Sequence, residues 1–156
     1  MGQQTLGNVR KAILSDIQDI KRISLEFWEE SNFAGLEPDL EDWDRLTADL
    51  MQSDSCAVFV YEEEGGVVGY LAMLKEKFYT KRPLANMFLF YVQESGRRGG
   101  AGRALFEASI EQASKWEVCA YYVGISAGIS KNEKSLLNMY RRYGFKDAGS
   151  FQRRIL

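Results

Sequence analysis

The chain has 156 residues, of which 46% are hydrophobic and 27% are charged, and its formal net charge is −2. This composition is typical of one ordinary globular domain, here residues 1–156, and it excludes a disulfide-stapled miniprotein and a disordered tail. The sequence contains no histidine, which excludes Ser-His-Asp and Cys-His catalysis and histidine-based metal sites, so no metal is expected.

The first part of the chain predicts one strand and two helices. Val9 to Leu14 is a short apolar-rich run that suits a strand. Ser15-Asp-Ile-Gln18 has the pattern of a capping box, and apolar residues follow at helical spacing to a predicted end near residues 31–32. After a break marked by glycine and proline, Asp39 can cap a second helix with its own apolar stripe.

The pattern then changes to strand-like runs. Residues 57–61 and 67–73 predict a hairpin around a glycine turn, and residues 86–92, apolar on both faces, predict a central strand. The remaining predicted elements are a helix from about residue 100 to residue 116, a strand over 118–126, a helix opened by a capping box at 130–133, and one or two strand segments over 145–156. The resulting order, β-α-α-β-β-β-α-β-α-β, is that of an α/β sandwich.

Charge is divided unevenly along the chain. Between Glu26 and Asp54 there are ten acidic residues and one basic residue, Arg45, whereas the residues from Gly65 onward include fifteen Lys/Arg and seven Asp/Glu. Aromatic residues are interleaved with the acidic ones, so an acidic, aromatic-edged groove is one interpretation of this region. Two amphipathic helices with solvated acidic faces are an equally open interpretation.

The sequence predicts neither a membrane segment nor an export signal. No apolar run approaches the roughly 20 residues that cross a membrane, and the first residues, MGQQTLG, match neither a signal peptide nor a myristoylation site. Cys56 and Cys119 lie in apolar runs and are interpreted as reduced core thiols. We therefore expect a soluble, cytoplasmic protein without membrane or nucleic-acid partners, since the acidic half opposes a polyanion.

The segment from Tyr91 to Leu105 is the most informative for chemistry. A predicted strand ends, three glycines and three arginines follow within seven residues, and a helix begins. Free N–H groups at a helix N-terminus favour phosphate, and glycines let the backbone approach an anion closely. The spacing fits neither a P-loop nor GxGxxG. A glycine-rich turn that only leads into a helix is the alternative interpretation.

Two motifs together suggest a family. Arg97, Gly100 and Gly102 match R-x-x-G-x-G, and residues 140–145 read Y-x-x-x-G-F about forty residues later, with a strand between them. In this order they resemble the GNAT family of N-acetyltransferases. Arg98 stands where the family's run usually has a glycine, and Glu94 where it often has a proline. The resemblance covers nearly the whole chain and implies a mixed, mostly antiparallel sheet flanked by helices.

The resemblance also implies roles for individual residues. Backbone groups of Tyr91 and Val92 would hydrogen-bond the pantetheine arm and the acetyl carbonyl of acetyl-CoA. Tyr140 would protonate the departing CoA thiolate, with a core tyrosine as the alternative. Asn132 lies one position away from the family's cofactor-binding asparagine, so it either binds the cofactor or only starts the helix. The pyrophosphate would be held by Arg97, Arg98, Gly99, Gly100, Ala101, Gly102 and Arg103.

The implied activity is direct transfer of an acetyl group from acetyl-CoA to a primary amine, on a cationic small molecule or at a lysine or N-terminal amine. Residues 87–90 of the predicted central strand contain no carboxylate, so no general base is named. A water chain ending at Glu94, or at an acid of the first two helices, stays open as the route for the amine proton. A non-catalytic acyl-CoA-binding regulatory module is the alternative function, and a homodimer is an open assembly.

Overall fold

The computed structural model describes residues 8–124, 130–150 and 152–156, with side chains not described at 130–132, and it arranges five strands in one sheet. The elements, in chain order, are β1 (Val9–Lys11), α1 (Ile17–Glu30), α2 (Trp43–Gln52), β2 (Cys56–Glu63), β3 (Gly66–Glu76), β4 (Leu84–Val92), α3 (Ala101–Lys115), β5 (Ala120–Tyr122) and α4 (Ser130–Arg142). Neighbouring strands are antiparallel from β1 to β4, and β5 pairs parallel to β4. The predicted mixed, mostly antiparallel sheet is confirmed.

The helices cover the sheet on both faces, and β2 shows why its sequence is continuously apolar. All residues from 56 to 61 are buried. Because successive strand side chains point to opposite faces, Val58 and Val60 pack in the cluster that contains Ile23 of α1, whereas Phe59 packs in the cluster that contains Phe106 of α3. The sheet therefore separates two apolar layers.

The second helix begins later than its predicted cap. Asp39 accepts the backbone N–H of Asp42 at 3.1 Å, but this closes a turn ahead of α2. Two members of the predicted apolar stripe, Leu40 and Leu46, are exposed by 45% and 47%. The stripe therefore contacts the core only in part. Across the described ranges, no helix is long and apolar enough to cross a membrane.

The start of α1 also differs from the prediction. A short 3-10 turn over Leu14–Asp16 precedes the helix, and the Asp16 carboxylate, not Ser15, accepts the N–H of Ile13 at 2.8 Å. Asp16 is 5% exposed and also accepts two bonds from the Arg10 guanidinium, at 2.7 and 2.9 Å. An ionised carboxylate accepts several strong hydrogen bonds at once, which a serine hydroxyl cannot do. Asp16 therefore anchors this end of the helix.

Replacing Asp16 with asparagine is expected to lower the free energy of unfolding at pH 7 by about 2–3 kcal/mol, because Arg10 loses a buried bidentate partner. Hydrogen bonds from Arg10 lower the pKa of Asp16. The stabilisation is therefore present above the unfolded-state pKa of about 3.9 and is lost as the pH falls through the lower folded-state value. Urea denaturation of both proteins at pH 7 and pH 3 should show the difference shrinking at pH 3.

Glu62→Gln is the control for the Asp16 variant. Glu62 also lies 3.2 Å from the Arg10 guanidinium, but its side chain is half-exposed. An exposed ion pair contributes little, so this variant should cost less than about 1 kcal/mol. Equal losses for the two variants would contradict the special role of Asp16.

The end of the chain differs most from the prediction. Of the strand predicted over 118–126, only Ala120–Tyr122 pair with β4, and residues 125–129 lie outside the described residues. The predicted closing strand is wrong for the part that is described, because residues 145–150 and 152–156 adopt no regular element. Residues 146–150 and 152–156 are exposed, so this segment has no half-buried apolar face of the kind that holds a strand in a sheet.

Candidate functional site

The sheet opens between β4 and β5. The two strands pair only at Leu84 with Ala120, Ala85 with Tyr121, and Asn86 with Tyr122. Since β4 continues to Val92, the edge of residues 87–92 that faces β5 has no strand partner among the described residues. We call this opening the β4–β5 gap.

A bulge bends β4 beside the β4–β5 gap. The pairing with β3 shifts register so that Phe88 has no partner across the ladder, and such a bulge kinks the strand locally. Phe88 is 38% exposed, and Met87 and Phe90 are half-buried. The strand therefore presents a partly uncovered apolar wall, although its sequence is that of a fully buried strand.

Backbone direction along the β4–β5 gap follows from the ladder with β3. The N–H of Gln93 donates to the Val68 carbonyl at 2.8 Å. Because backbone groups alternate in direction along a strand, those of Val92 and Phe90 point away from β3 and toward the gap, whereas those of Tyr91 face β3. The N–H of Val92 therefore faces the gap as its implied role requires, whereas the Val92 carbonyl already accepts the Arg97 side chain and the Tyr91 backbone faces β3, away from the gap.

The glycine segment forms a cradle of backbone N–H groups at the start of α3. Gly100 has φ +83°, a left-handed conformation that favours glycine, and α3 begins at the next residue. The first helical hydrogen bond runs from the N–H of Ala104 to the Gly100 carbonyl at 3.0 Å. The N–H groups of Ala101, Gly102 and Arg103 therefore point out of the helix end without an intrahelical acceptor. The N–H of Gly99 instead donates to the Gly96 carbonyl at 3.2 Å, and we call residues 100–103 the cradle.

Glycines in this segment serve different purposes. A Cβ on Gly96 would lie 3.0 Å from the Val68 side chain and 3.2 Å from that of Val92, so tight packing requires glycine there. A Cβ on Gly100 would meet nothing within 4 Å. The space beside Gly100 is therefore open, as an approaching anion requires, whereas a Cβ on Gly99 would lie 3.1 Å from a Glu63 carboxylate oxygen.

The three arginines of the segment differ in their surroundings. The Arg97 Nε donates to the Val92 carbonyl at 2.8 Å, and its Nη2 lies 3.1 Å from a Glu30 oxygen, so this guanidinium is directed at the protein. Arg103 is exposed and pairs with Glu107 at 2.9 Å. Arg98 is exposed. Of the three arginines, only Arg98 and Arg103 therefore offer positive charge that is not directed at the protein.

Tyr140 lies on α4 and is 5% exposed. Its ring packs on Phe106 with centroids 5.0 Å apart, and its hydroxyl lies 3.5 Å from the carbonyl of Gly124, two residues beyond β5. The hydroxyl is therefore on the β5 side of the β4–β5 gap. Burial and the nearby Tyr121 raise the pKa of Tyr140, so the phenol keeps its proton at neutral pH.

Two other sequence expectations concern polar side chains. Asn132 falls within α4, but its side chain lies outside what the structure describes. Glu94 is exposed in a 3-10 turn over Glu94–Gly96. Among the described residues, no group of three or more metal-ligating side chains comes together.

Sequence reasoning missed two carboxylates of α1 that contact the end of β4. Glu30 accepts the Tyr91 hydroxyl at 2.6 Å, and Glu26 accepts the Gln93 side-chain amide at 2.7 and 2.8 Å. Their spacing of four residues, which puts them on one helix face, was the available signal. Which face of α1 meets β4 depends on the tertiary fold, so the contacts of these carboxylates with Tyr91 and Gln93 could not be predicted from the sequence.

The family model described as "Acetyltransferase (GNAT) domain" matches residues 54–147 of the chain. That range includes β2 to α4 and therefore the β4–β5 gap, the cradle and Tyr140. No curated protein sequence matches the chain.

Solved structures share the fold at low sequence identity. A Trypanosoma brucei acetyltransferase has a TM-score of 0.72 and 22% identity, with 95% of this chain and 98% of that one covered. An aminoglycoside acetyltransferase from an uncultured soil metagenomic sample has a TM-score of 0.69 and 20% identity, with 95% of each chain covered. A ribosomal-protein-alanine N-acetyltransferase from Brucella melitensis has a TM-score of 0.69 and 15% identity, with 94% of this chain and 99% of that one covered. At these identities the likeness establishes the fold.

Proposed function

The chain belongs to the GNAT acetyltransferase family, and from that premise we propose that it transfers the acetyl group of acetyl-CoA to a primary amine. GNAT domains use acetyl-CoA as the acetyl donor. The observation that carries the proposal is the β4–β5 gap, which has the cradle at one end and the Tyr140 hydroxyl on its β5 side.

The residues around the β4–β5 gap suit each part of the donor. The N–H groups of the cradle and the positive end of the α3 dipole would hold the pyrophosphate, with charge added by Arg98 and Arg103. The N–H of Val92 and the backbone groups of Phe90 would hydrogen-bond the pantetheine arm, since the Val92 carbonyl already accepts Arg97. The apolar parts of the pantetheine arm would cover the partly uncovered wall at Met87, Phe88 and Phe90.

Acetyl-CoA supplies a thioester whose carbonyl carbon a neutral amine can attack. The new C–N bond forms, the C–S bond breaks, and the amine releases one proton. Tyr140 would donate its hydroxyl proton to the leaving sulfur and regain one from solvent afterwards. Backbone N–H groups at the open edge of β4 would stabilise the oxyanion. We assign no side chain as the general base, since an amine that arrives neutral needs none to attack.

The acidic half of the chain suggests a cationic acceptor. Phe33 lies 5.5 Å from the Trp28 ring, and Trp28 lies 6.3 Å from Trp43, so an aromatic cluster joins α1 to α2. Five of the acids in this half form ion pairs: Glu26, Glu30, Asp42, Asp44 and Asp49. Glu37 follows Leu36, whose carbonyl accepts the Trp28 indole N–H, and Glu41 lies two residues before Trp43. Both glutamates are exposed and form no ion pair with a described residue. Carboxylates and aromatic faces of this kind recognise ammonium groups.

The proposed activity is tested by incubating the protein with acetyl-CoA and a panel of amines while free CoA is measured. The panel contains polyamines, aminoglycosides and peptides with lysine or N-terminal amines, together with neutral hydroxyl analogues. Amine-dependent CoA release is expected. CoA binding without turnover on any amine would instead support a non-catalytic acyl-CoA-binding module, which the deep burial of Tyr140 also suits.

The acceptor class is tested by the double variant Glu37→Gln/Glu41→Gln. At low ionic strength, the KM for a polycationic amine is expected to rise about tenfold, because two carboxylates that attract it are gone. The difference should shrink at high salt, since exposed charges are screened there. Steady-state kinetics at 20 mM and 500 mM NaCl measure it. An unchanged KM at both salts would place acceptor recognition elsewhere.

A further inference from the structure

The C-terminal half of α1 holds the end of β4 through two carboxylates. Glu26 and Glu30 lie one helical turn apart on the same face of the helix. Glu26 accepts both of its bonds from Gln93, and Glu30 accepts the hydroxyl of Tyr91 at 2.6 Å. Because β4 ends at Val92, these bonds attach the residues on either side of that end to α1.

Arg97 connects Glu30 with the backbone next to the cradle. Its Nε donates to the Val92 carbonyl at 2.8 Å, and its Nη2 donates to Glu30 at 3.1 Å. Its guanidinium also lies 5.4 Å from the centre of the Tyr91 ring. The side chain of Arg97 is only 19% exposed. The first bond closes residues 92–97 into a loop, and the second fixes that loop to α1.

We propose that Glu30 is a positioning residue for the acetyl donor. Acting through Arg97, it orients the Val92 carbonyl and sets the position of the glycine turn that leads into the cradle. A charged carboxylate fixes the direction of a planar guanidinium more strongly than a neutral amide does. The inference rests on the proposed function, because it assumes that the donor lies along the β4–β5 gap.

Glu30→Gln tests this role, since it removes the charge and keeps the shape. The Kd for CoA and the KM for acetyl-CoA are expected to rise about tenfold, the loss of one charge-assisted hydrogen bond. At saturating donor, kcat should change less than about twofold. Calorimetric titration with CoA and steady-state kinetics give the two readouts. If Glu30 had only a structural role, the variant would have a lower unfolding temperature but no rise in the KM for acetyl-CoA that is distinct from the change in kcat.

Glu29→Gln is the matched control. It removes the same charge one residue earlier on α1, from an exposed side chain that forms no ion pair with a described residue. CoA affinity and kcat should stay at wild-type values. A tenfold loss here too would show that net charge on α1, and not the contact with Arg97, governs donor binding, and would overturn the inference.

A double-mutant cycle with Arg97→Gln tests the route of the effect. Because Glu30 is proposed to act through Arg97, the double variant should bind CoA no more weakly than Arg97→Gln alone. Additive losses, or wild-type affinity in Glu30→Gln, would overturn the inference. If Glu30→Gln does not fold, Glu30→Asp enters the cycle in its place, with an intermediate loss expected. Failure of the wild-type protein to bind CoA would instead overturn the proposed function.

Discussion

Replacing Tyr140 with phenylalanine is expected to lower kcat by about two to three orders of magnitude, with the Kd for CoA changed by less than about twofold. The variant removes only the hydroxyl oxygen, so the ring contacts with Phe106 at 5.0 Å and Phe145 at 6.2 Å stay in place. Under the proposed mechanism, the leaving sulfur then loses its positioned proton donor. Steady-state kinetics at saturating acetyl-CoA and calorimetric titration with CoA measure the two quantities.

Tyr143→Phe controls for the loss of a hydroxyl on the same helix. Its hydroxyl donates to Glu107 of α3 and not toward Gly124. Activity should stay within about twofold of the wild type. Wild-type kcat in Tyr140→Phe, or equal losses in both variants, would identify Tyr140 as a packing residue.

The pH dependence gives a second check on Tyr140. Its pKa is raised by burial above the ordinary tyrosine value of about 10. An acid must be protonated to act, so kcat should not fall between pH 7 and pH 9.5 through ionisation of Tyr140. The sequence has no histidine, and a fall in kcat/KM toward lower pH is therefore expected to follow protonation of the acceptor amine.

Replacing Gly100 with alanine is expected to raise the Kd for CoA by about tenfold or more. The residue has φ +83°, so alanine strains the backbone that directs the cradle N–H groups. Its Cβ would also project into the open space beside Gly100, where the proposed function puts the pyrophosphate. The strain should lower the free energy of unfolding by about 1 kcal/mol. Calorimetry gives the affinity, and urea denaturation gives the stability.

Gly144→Ala separates the two effects. Gly144 has φ +84°, and a Cβ there also meets nothing within 4 Å, but the residue follows the C-terminal end of α4. The same strain should cost a similar stability, about 1 kcal/mol. CoA affinity should not change. If both variants lost affinity equally, general destabilisation and not the cradle would explain the Gly100 result.

Local sequence patterns predicted most of the helices and strands, because the spacing of apolar residues along each element follows from the face that it buries. The apolar period of α1 and the continuous apolar run of β2 follow from which faces are buried, and both elements form near their predicted positions. The start of α3 near residue 100 was likewise predicted from the local sequence, although the left-handed conformation of Gly100 was not. A left-handed residue directly before a helix favours glycine, and Gly100 occupies that position.

Contacts between distant residues were not predictable in this way. Arg97 and Glu30 are 67 residues apart in sequence, and only the packing of α1 on β4 brings them together. The motif therefore suggested that Arg97 binds phosphate, although its guanidinium is directed at the protein. Asp16 replaced the predicted Ser15 cap for a similar reason, since Arg10 reaches it from β1.

The partly uncovered apolar wall at Met87, Phe88 and Phe90 would link donor supply to the folding equilibrium. Under the proposed function, acetyl-CoA covers this wall and binds the folded chain alone. Donor at 100 times its Kd would then add about 2.7 kcal/mol to the free energy of unfolding. Proteases cleave molecules that are transiently unfolded. When acetyl-CoA is scarce, a larger fraction of this protein would unfold, so the protein would be degraded faster and acetyl transfer would also slow down.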